Sequence, residues 1–166
     1  DISILANYTL IDNSDSMNTK TYHLLQSGLG VKLPTGQSDI IANSNTVIPM
    51  LQLGTGSADL LANIFYMMRS KKLGWSIDGN YKWNTTGTNA YRMGNSLNMN
   101  LRGFYWYQTP KMAWVPNLGL SWEHNESNID RGVKNELTGG NSILGAIGVN
   151  WFKGKISIGG QVFIPM

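Results

Sequence analysis

The stretch "SWEHNES" at residues 121–127 brings serine, glutamate and histidine close together in the chain. Such a set hydrolyses a substrate only when the side chains converge within hydrogen-bond distance. In an extended strand, alternate side chains point to opposite faces, so His124 points away from Ser121 and Glu123. We therefore predict that His124 forms hydrogen bonds or lies at a loop edge, and that the protein is not an enzyme.

Other chemistry-bearing signals are also weak. The chain has 2 His and no Cys, so it offers no thiolate ligands, and His23 stands alone. "GLGVKLPTG" at 28–36 looks like a glycine-rich phosphate loop, but no helical pattern follows it to supply the anion-binding amides. The sequence predicts no cofactor and no metal site.

The chain is unusually poor in charged residues. Charged residues make up 14% of the chain, well below the roughly 25% of soluble domains. The net charge of +3 is small and several basic residues cluster at predicted turns, which argues against nucleic acid as a partner. The longest apolar runs fall short of the roughly 18 residues of a membrane-spanning helix.

Apolar and polar residues alternate with period two along the whole chain, which predicts an all-β fold. The segment "LGWSIDGNYKW" at 73–83 shows the pattern, with Trp75 and Ile77 on one parity and Asp78 and Lys82 on the other. We predict one domain, 1–166, with about eight strands at 2–11, 20–33, 57–68, 73–84, 91–107, 112–124, 141–152 and 155–164.

The lengths of the connections predict an up-and-down antiparallel order. Short links at 69–72, 108–111 and 153–154 alternate with longer polar links at 34–48, 85–90 and 125–140. The link 12–19 falls on the short-turn rim by parity, although it is long for that rim. Tight turns would then lie at one rim of a barrel and long loops at the other.

A soluble barrel turns its apolar face inward, whereas a transmembrane barrel turns it toward lipid. The predicted strands are long, at about 10 to 17 residues, against about five or six in soluble proteins. Aromatic residues also recur near both ends of the apolar faces, about 15–20 Å apart in membrane depth. We interpret them as membrane-interface aromatics: Trp75, Tyr81, Trp83, Tyr91, Tyr105, Tyr107, Trp114, Trp122 and Trp151.

The opposite parity would line the lumen of such a barrel. Its predicted solute-path residues carry mixed charges, which argues against strong ion selectivity: Asp59, Asp78, Lys82, Arg92, Asn100, Arg102 and Glu123. Lys32 and Asp59 share this parity near the long-loop rim, so we predict an ion pair between them. The loop 34–48 is a candidate constriction or lid.

Two stretches resemble a known family: "GLGVKLPTG" at 28–36 and "LQLGTGSADLLANIFY" at 51–66. They are similar to bacterial outer-membrane barrels of the transporter type named for the MetA pathway of phenol degradation, in their Bacteroidetes-like form. The matching motif residues are Lys32, Pro34, Thr35, Gly36, Gln52, Gly54, Thr55, Gly56, Ser57 and Asp59. The resemblance implies a Gram-negative outer-membrane location, contact with the bilayer and lipopolysaccharide, and passage of small, hydrophobic or aromatic molecules.

The chain ends on "VFIPM" rather than on the terminal aromatic usual for such barrels, and it opens within a strand. We therefore expect an internal portion of a longer barrel. Two alternatives to a porin-like transporter stay open. One is a barrel without transport, serving as a structural or accessory subunit with other envelope proteins. The other is a soluble, lipocalin-like ligand-binding barrel.

Overall fold

The computed structural model describes residues 1–13, 21–38, 52–87 and 90–166. Eight long strands dominate it: β1 (Ile2–Asp12), β2 (Thr21–Leu33), β3 (Asp59–Ser70), β4 (Leu73–Trp83), β6 (Ser96–Tyr105), β8 (Ala113–Asn125), β11 (Gly140–Lys153) and β12 (Ile156–Pro165). Four short strands accompany them: β5 (Tyr91–Arg92), β7 (Tyr107–Gln108), β9 (Ile129–Asp130) and β10 (Val133–Lys134). The described residues contain strands and no helix, so the all-β prediction is confirmed.

The eight long strands form one sheet in the order β1-β2-β3-β4-β6-β8-β11-β12, and every neighbouring pair is antiparallel. Since each long strand pairs with the next one along the chain, the predicted up-and-down order is confirmed. Short β7 extends the sheet beside β8, and β10, β9 and β5 form a separate small sheet. No described helix is long and apolar enough to cross a membrane.

Alternating short and long connections are confirmed for the described links. Ser70 pairs with Leu73, and Lys153 pairs with Ile156, so each of these two turns has two linking residues. Gly154 takes a φ of 58°, a left-handed conformation that glycine adopts without steric cost. The predicted link 12–19 and the candidate lid 34–48 fall largely outside the described residues.

The prediction of one continuous strand at 91–107 is wrong. The polar groups of residues 93–95 bond to loop residues instead of to a sheet neighbour: Asn84 Nδ2 donates to the Gly94 carbonyl at 2.6 Å, and Gly94 N donates to Asn128 Oδ1 at 2.8 Å. Tyr91–Arg92 consequently leaves the main sheet and pairs with β9. A second break at Trp106 separates β6 from β7.

The main sheet buries polar side chains and exposes apolar ones, which is the reverse of the usual arrangement in a soluble fold. Buried apolar side chains in the described ranges are few and small: Ala113, Val115 and Ala146. Buried polar or charged side chains are more numerous: Lys32, Ser57, Asp59, Ser76, Asn84, Asn117 and Ser121. Apolar side chains from every long strand lie on the exposed face.

The sheet curves around its polar face. Arg102 on β6 donates to Gln161 on β12 at 3.4 Å, although β8 and β11 lie between these strands. Tyr22 on β2 and Phe152 on β11 also line one concavity, although five strand spacings separate their strands, about 24 Å in a flat sheet. Curvature of the sheet brings these side chains together. Small residues, Gly119 and Ala146, occupy the intervening positions in register with Arg102. We call this side the concave face and the opposite side the outer face.

The described strands do not close into a barrel. β1 pairs with β2 and β12 pairs with β11, and β1 and β12 do not pair with each other. The antiparallel sheet is therefore open within the part of the chain that the structure describes.

Candidate functional site: the polar concave face

Amide and carboxylate side chains lie opposite one another across the middle of the concave face. Asn63, Asn80, Asn98 and Glu123 lie in register on β3, β4, β6 and β8. Period-two alternation puts these positions on one side of four successive strands. The sequence pattern therefore builds a polar row that runs across the sheet rather than along a strand.

Hydrogen bonds join this row to the next one. Asp78 Oδ2 accepts from Asn100 Nδ2 at 2.8 Å and from Asn80 Nδ2 at 3.4 Å. Asn100 Nδ2 also donates to Asn98 Oδ1 at 2.7 Å. We call Asp78, Asn80, Asn98, Asn100 and Glu123 the polar belt. Its carboxylates and amides can bind water and polar solutes on the concave face.

The structure brings most predicted solute-path residues to this face. Those on the concave side of the main sheet are Asp59, Asp78, Lys82, Asn100, Arg102 and Glu123. Arg92 is the exception, because it belongs to the small sheet, opposite Ile129. Placing Arg92 with the others was wrong, since the interruption at residues 93–95 removes it from the alternation of β6.

A largely buried ionic cluster lies at the loop-side end of the concave face. Lys32 and Asp59 are paired in register, and Lys32 Nζ contacts Asp59 Oδ2, so the predicted ion pair is present. Lys32 Nζ also lies 3.3 Å from Asp1 Oδ2 and contacts Thr55 Oγ1. Asp59, only 1% exposed, accepts at Oδ1 from Ser57 Oγ at 2.8 Å and from Thr85 N at 3.0 Å. We call Asp1, Lys32, Thr55, Ser57 and Asp59 the rim cluster.

The two sequence motifs meet at this cluster. A Cβ on Gly54 would lie 2.5 Å from the Gly36 carbonyl oxygen, so the backbones of the two motifs approach too closely for a side chain. Gly54 N donates to the Gln37 carbonyl at 3.0 Å, and Thr35 N donates to the Leu33 carbonyl at 2.9 Å. These contacts give the motif residues a structural role in joining the loop after β2 to the start of β3.

An aromatic region at the turn-side end of the concave face was not predicted from the sequence. A concavity of about 550 Å³ lies there, lined in part by Phe65, Met67, Phe104, Trp106 and Phe152. The Trp106 and Phe152 rings stack with centroids 5.6 Å apart. In the predicted strands, these apolar residues fall on the same face as the polar residues. Their recurrence near the short turns was a signal in the sequence, but only the charged residues of that face were considered.

The outer face carries the predicted interface aromatics except one. In register, Trp75 and Tyr105 lie toward the short turns, whereas Tyr81 and Trp83 lie toward the long loops. Tyr107, Trp114, Trp122 and Trp151 also lie on this face. Tyr91 does not, because it pairs with Asp130 in the small sheet. Its assignment to the outer face was wrong for the same reason as that of Arg92.

The histidines lie away from the concave face. Asn141 Oδ1 accepts a hydrogen bond from His124 Nδ1 at 2.9 Å, and Ser121 is buried on the opposite side of β8. His23 Nδ1 lies 2.8 Å from Tyr66 Oη on the outer face. In the described ranges, no group of three or more His, Cys, Asp or Glu side chains is placed to hold a metal ion.

Comparison with known proteins adds no relative. A scan against protein-family models finds no matching family, and a search of the curated proteins finds no similar protein. The resemblance to outer-membrane transporters therefore stays a prediction, based on the motifs at 28–66.

Proposed function

We propose that this sheet forms part of the wall of a bacterial outer-membrane β-barrel, with the concave face lining a path for small solutes. The observation that carries the proposal is the inverted polarity of the sheet. Asp59, Lys32 and Asn117 are buried, whereas large apolar residues such as Leu29 and Leu118 are about 70% exposed, at 72% and 68%.

The outer face is too apolar to be explained as ordinary protein surface. Soluble monomers rarely expose apolar patches larger than a few hundred Å². Here exposed Ile, Leu and Val side chains continue from β1 to β12, between rows of Trp and Tyr. Lipid contact stabilises such a face, because hydrocarbon replaces water around it. A soluble lipocalin-like barrel requires the opposite arrangement, with the apolar side chains inside.

The concave face has the features of a water-filled path. The polar belt carries carboxylate and amide groups, and the cations Lys82 and Arg102 lie on the same face beside it. Resemblance of residues 28–66 to outer-membrane transporters supports the same reading. Bilayer lipid and lipopolysaccharide are then the partners of the outer face, and the solute is the partner of the concave face.

Two measurements on the full-length protein test this proposal. The protein should require detergent and migrate differently on gels before and after heating, as folded outer-membrane barrels do. Reconstituted vesicles should swell in small solutes, or planar bilayers should show discrete conductance. A detergent-free, water-soluble monomer would contradict the membrane location. An inserted barrel without flux would contradict transport and leave a structural or accessory subunit of an envelope complex.

A further inference from the structure

We propose that the turn-side end of the concave face binds a small organic anion with an apolar body, such as an aromatic carboxylate. The proposed site, which we call the arginine pocket, is formed by Arg69, Arg102, Phe104, Trp106 and Phe152 around the concavity of about 550 Å³. That volume lies within the range of about 300–1,000 Å³ found for small-molecule sites.

Arg69 lies against two aromatic rings. Its guanidinium carbon lies 4.9 Å from the centroid of the Trp106 ring and 5.8 Å from that of Tyr22. Contact of a guanidinium with aromatic faces is favourable and is compatible with donation of its N–H groups to a carboxylate. The two rings thus keep the cation at the concavity.

Arg102 supplies a second cation to the same concavity. Its side chain extends across the small residues of β8 and β11 and, among the described residues, donates to the neutral Gln161 at 3.4 Å. The described residues that line the concavity with these two arginines are aromatic, apolar or neutral polar. Two guanidinium groups on one such concavity favour an anionic ligand.

The rest of the lining selects the body of the ligand. Phe104, Trp106 and Phe152 present aromatic surface, and Met67 adds an adaptable apolar group. Asn117 lies at the floor, 8% exposed, and its Oδ1 has no hydrogen-bond partner. An apolar body with a carboxylate at one end and space for a hydroxyl or a water molecule fits this combination.

Positive charge outweighs negative charge in the described lining of the pocket. Among the described residues, that lining includes two arginines and no acidic side chain, while Asp12 borders the site on β1, in register with Leu24. Asp78 lies in the next polar row, but it already accepts hydrogen bonds from Asn100 and Asn80. The local balance of charge around the pocket therefore favours an anion over a cation.

Binding can be measured without transport, which separates this inference from the proposed function that it deepens. The full-length protein in lipid nanodiscs is titrated calorimetrically with 1-naphthoate and with the neutral 1-naphthamide, and empty nanodiscs provide the lipid background. We expect 1-naphthoate to bind at least tenfold more tightly than 1-naphthamide. Equal binding of the two probes, or no binding of either, would overturn the proposal.

Matched variants locate the site. Arg69→Gln and Arg102→Gln should each weaken 1-naphthoate binding about tenfold, while Trp106→Leu should weaken both probes. Lys134→Gln removes one positive charge from the small sheet, outside the concave face, and should change binding less than twofold. An equal loss in Lys134→Gln would indicate a general field effect and refute a specific pocket. Circular dichroism and heat-modifiable migration confirm that each variant is folded. Binding without flux would refute only transport, and flux without binding would refute only the pocket.

Discussion

A charge placed on the outer face should lower the free energy of unfolding much more than a charge placed on the concave face of the same strand. Leu101 lies near the middle of β6, 47% exposed, in register with Ile77 and Leu120. On the outer face, this row lies between the rows that carry Trp75 and Tyr81. Lipid contact would therefore place Leu101 near the bilayer midplane. Arginine at that depth costs about 2–4 kcal/mol, which corresponds to about a 30- to 700-fold loss in the folding equilibrium constant.

The matched control is Asn98→Arg, three residues earlier on β6. Asn98 lies on the concave face in register with Glu123, so the new cation gains an acidic neighbour. We expect the free energy of unfolding of this variant to stay within about 1 kcal/mol of the parent. Both variants are folded into phosphatidylcholine vesicles and unfolded with guanidinium chloride, with tryptophan fluorescence as the signal. Leu101→Arg within about 0.5 kcal/mol of the parent, as for ordinary water-exposed positions, would refute lipid contact.

Three further predictions follow from the concave face and the sheet edges. Asp78→Asn should change unfolding free energy by less than about 1 kcal/mol, while the cation-to-anion permeability ratio in a KCl gradient should fall; an unchanged ratio would show that Asp78 does not face the path. Lys32→Met leaves the buried Asp59 carboxylate without its cation and should destabilise the protein by about 3–5 kcal/mol. The double variant Lys32→Met, Asp59→Asn should recover at least half of that loss, as measured by the midpoint of guanidinium chloride denaturation. An unchanged midpoint in the single variant would contradict the role of the rim cluster. In vesicles, backbone amides of β1 and β12 should exchange with deuterium as slowly as those of β3. Unpaired backbone groups in hydrocarbon each cost several kcal/mol, so lipid contact requires both edges of the sheet to be paired. Fast exchange at the edges of an inserted protein would argue against the proposed barrel.

The order of the long strands could be predicted because the information is local. Alternation in segments such as 73–83 records directly which side chains share a face, and the lengths of the turns record which strands are neighbours. The ion pair of Lys32 with Asp59 followed from the same parity, combined with the expected pairing of β2 and β3. No knowledge of tertiary structure was needed for either prediction.

The break at residues 93–95 could not be predicted in this way. It depends on Asn84 and Asn128, whose side-chain amides bond to Gly94 from two different loops. The period-two pattern predicts a strand only if the backbone groups of the segment bond to a neighbouring strand. Nothing local in "YRMGNS" shows that side chains from loops take the place of that strand. The misplacement of Tyr91 and Arg92 followed from that assumption.

The arginine pocket was missed for a different reason. Trp106 and Phe152 are far apart in sequence and stack only because the sheet curves around its polar face. Arg69 was assigned to a turn because it stands beside Lys71 and Lys72. Arg69 contacts Trp106, which lies in the break between β6 and β7. The contact therefore depends on the path that the chain takes at this break. Curvature and strand breaks are tertiary properties, so the site could not be assembled from the periodicity alone.

The depth order of charges on the concave face gives the proposed path a direction. Lys32 and Asp59 neutralise each other at the loop-side end, the ammonium group of Lys82 comes next, and the carboxylates of Glu123 and Asp78 follow in the middle. The arginine pocket lies beyond them, toward the short turns. An anion entering from the loops passes the two carboxylates before it reaches the guanidinium groups, whereas one entering from the turn side meets them first. Because like charges repel and opposite charges attract over this distance, the turn-side mouth is the favoured approach for the anion, and removing the carboxylate of Asp78 should ease the approach from the loops.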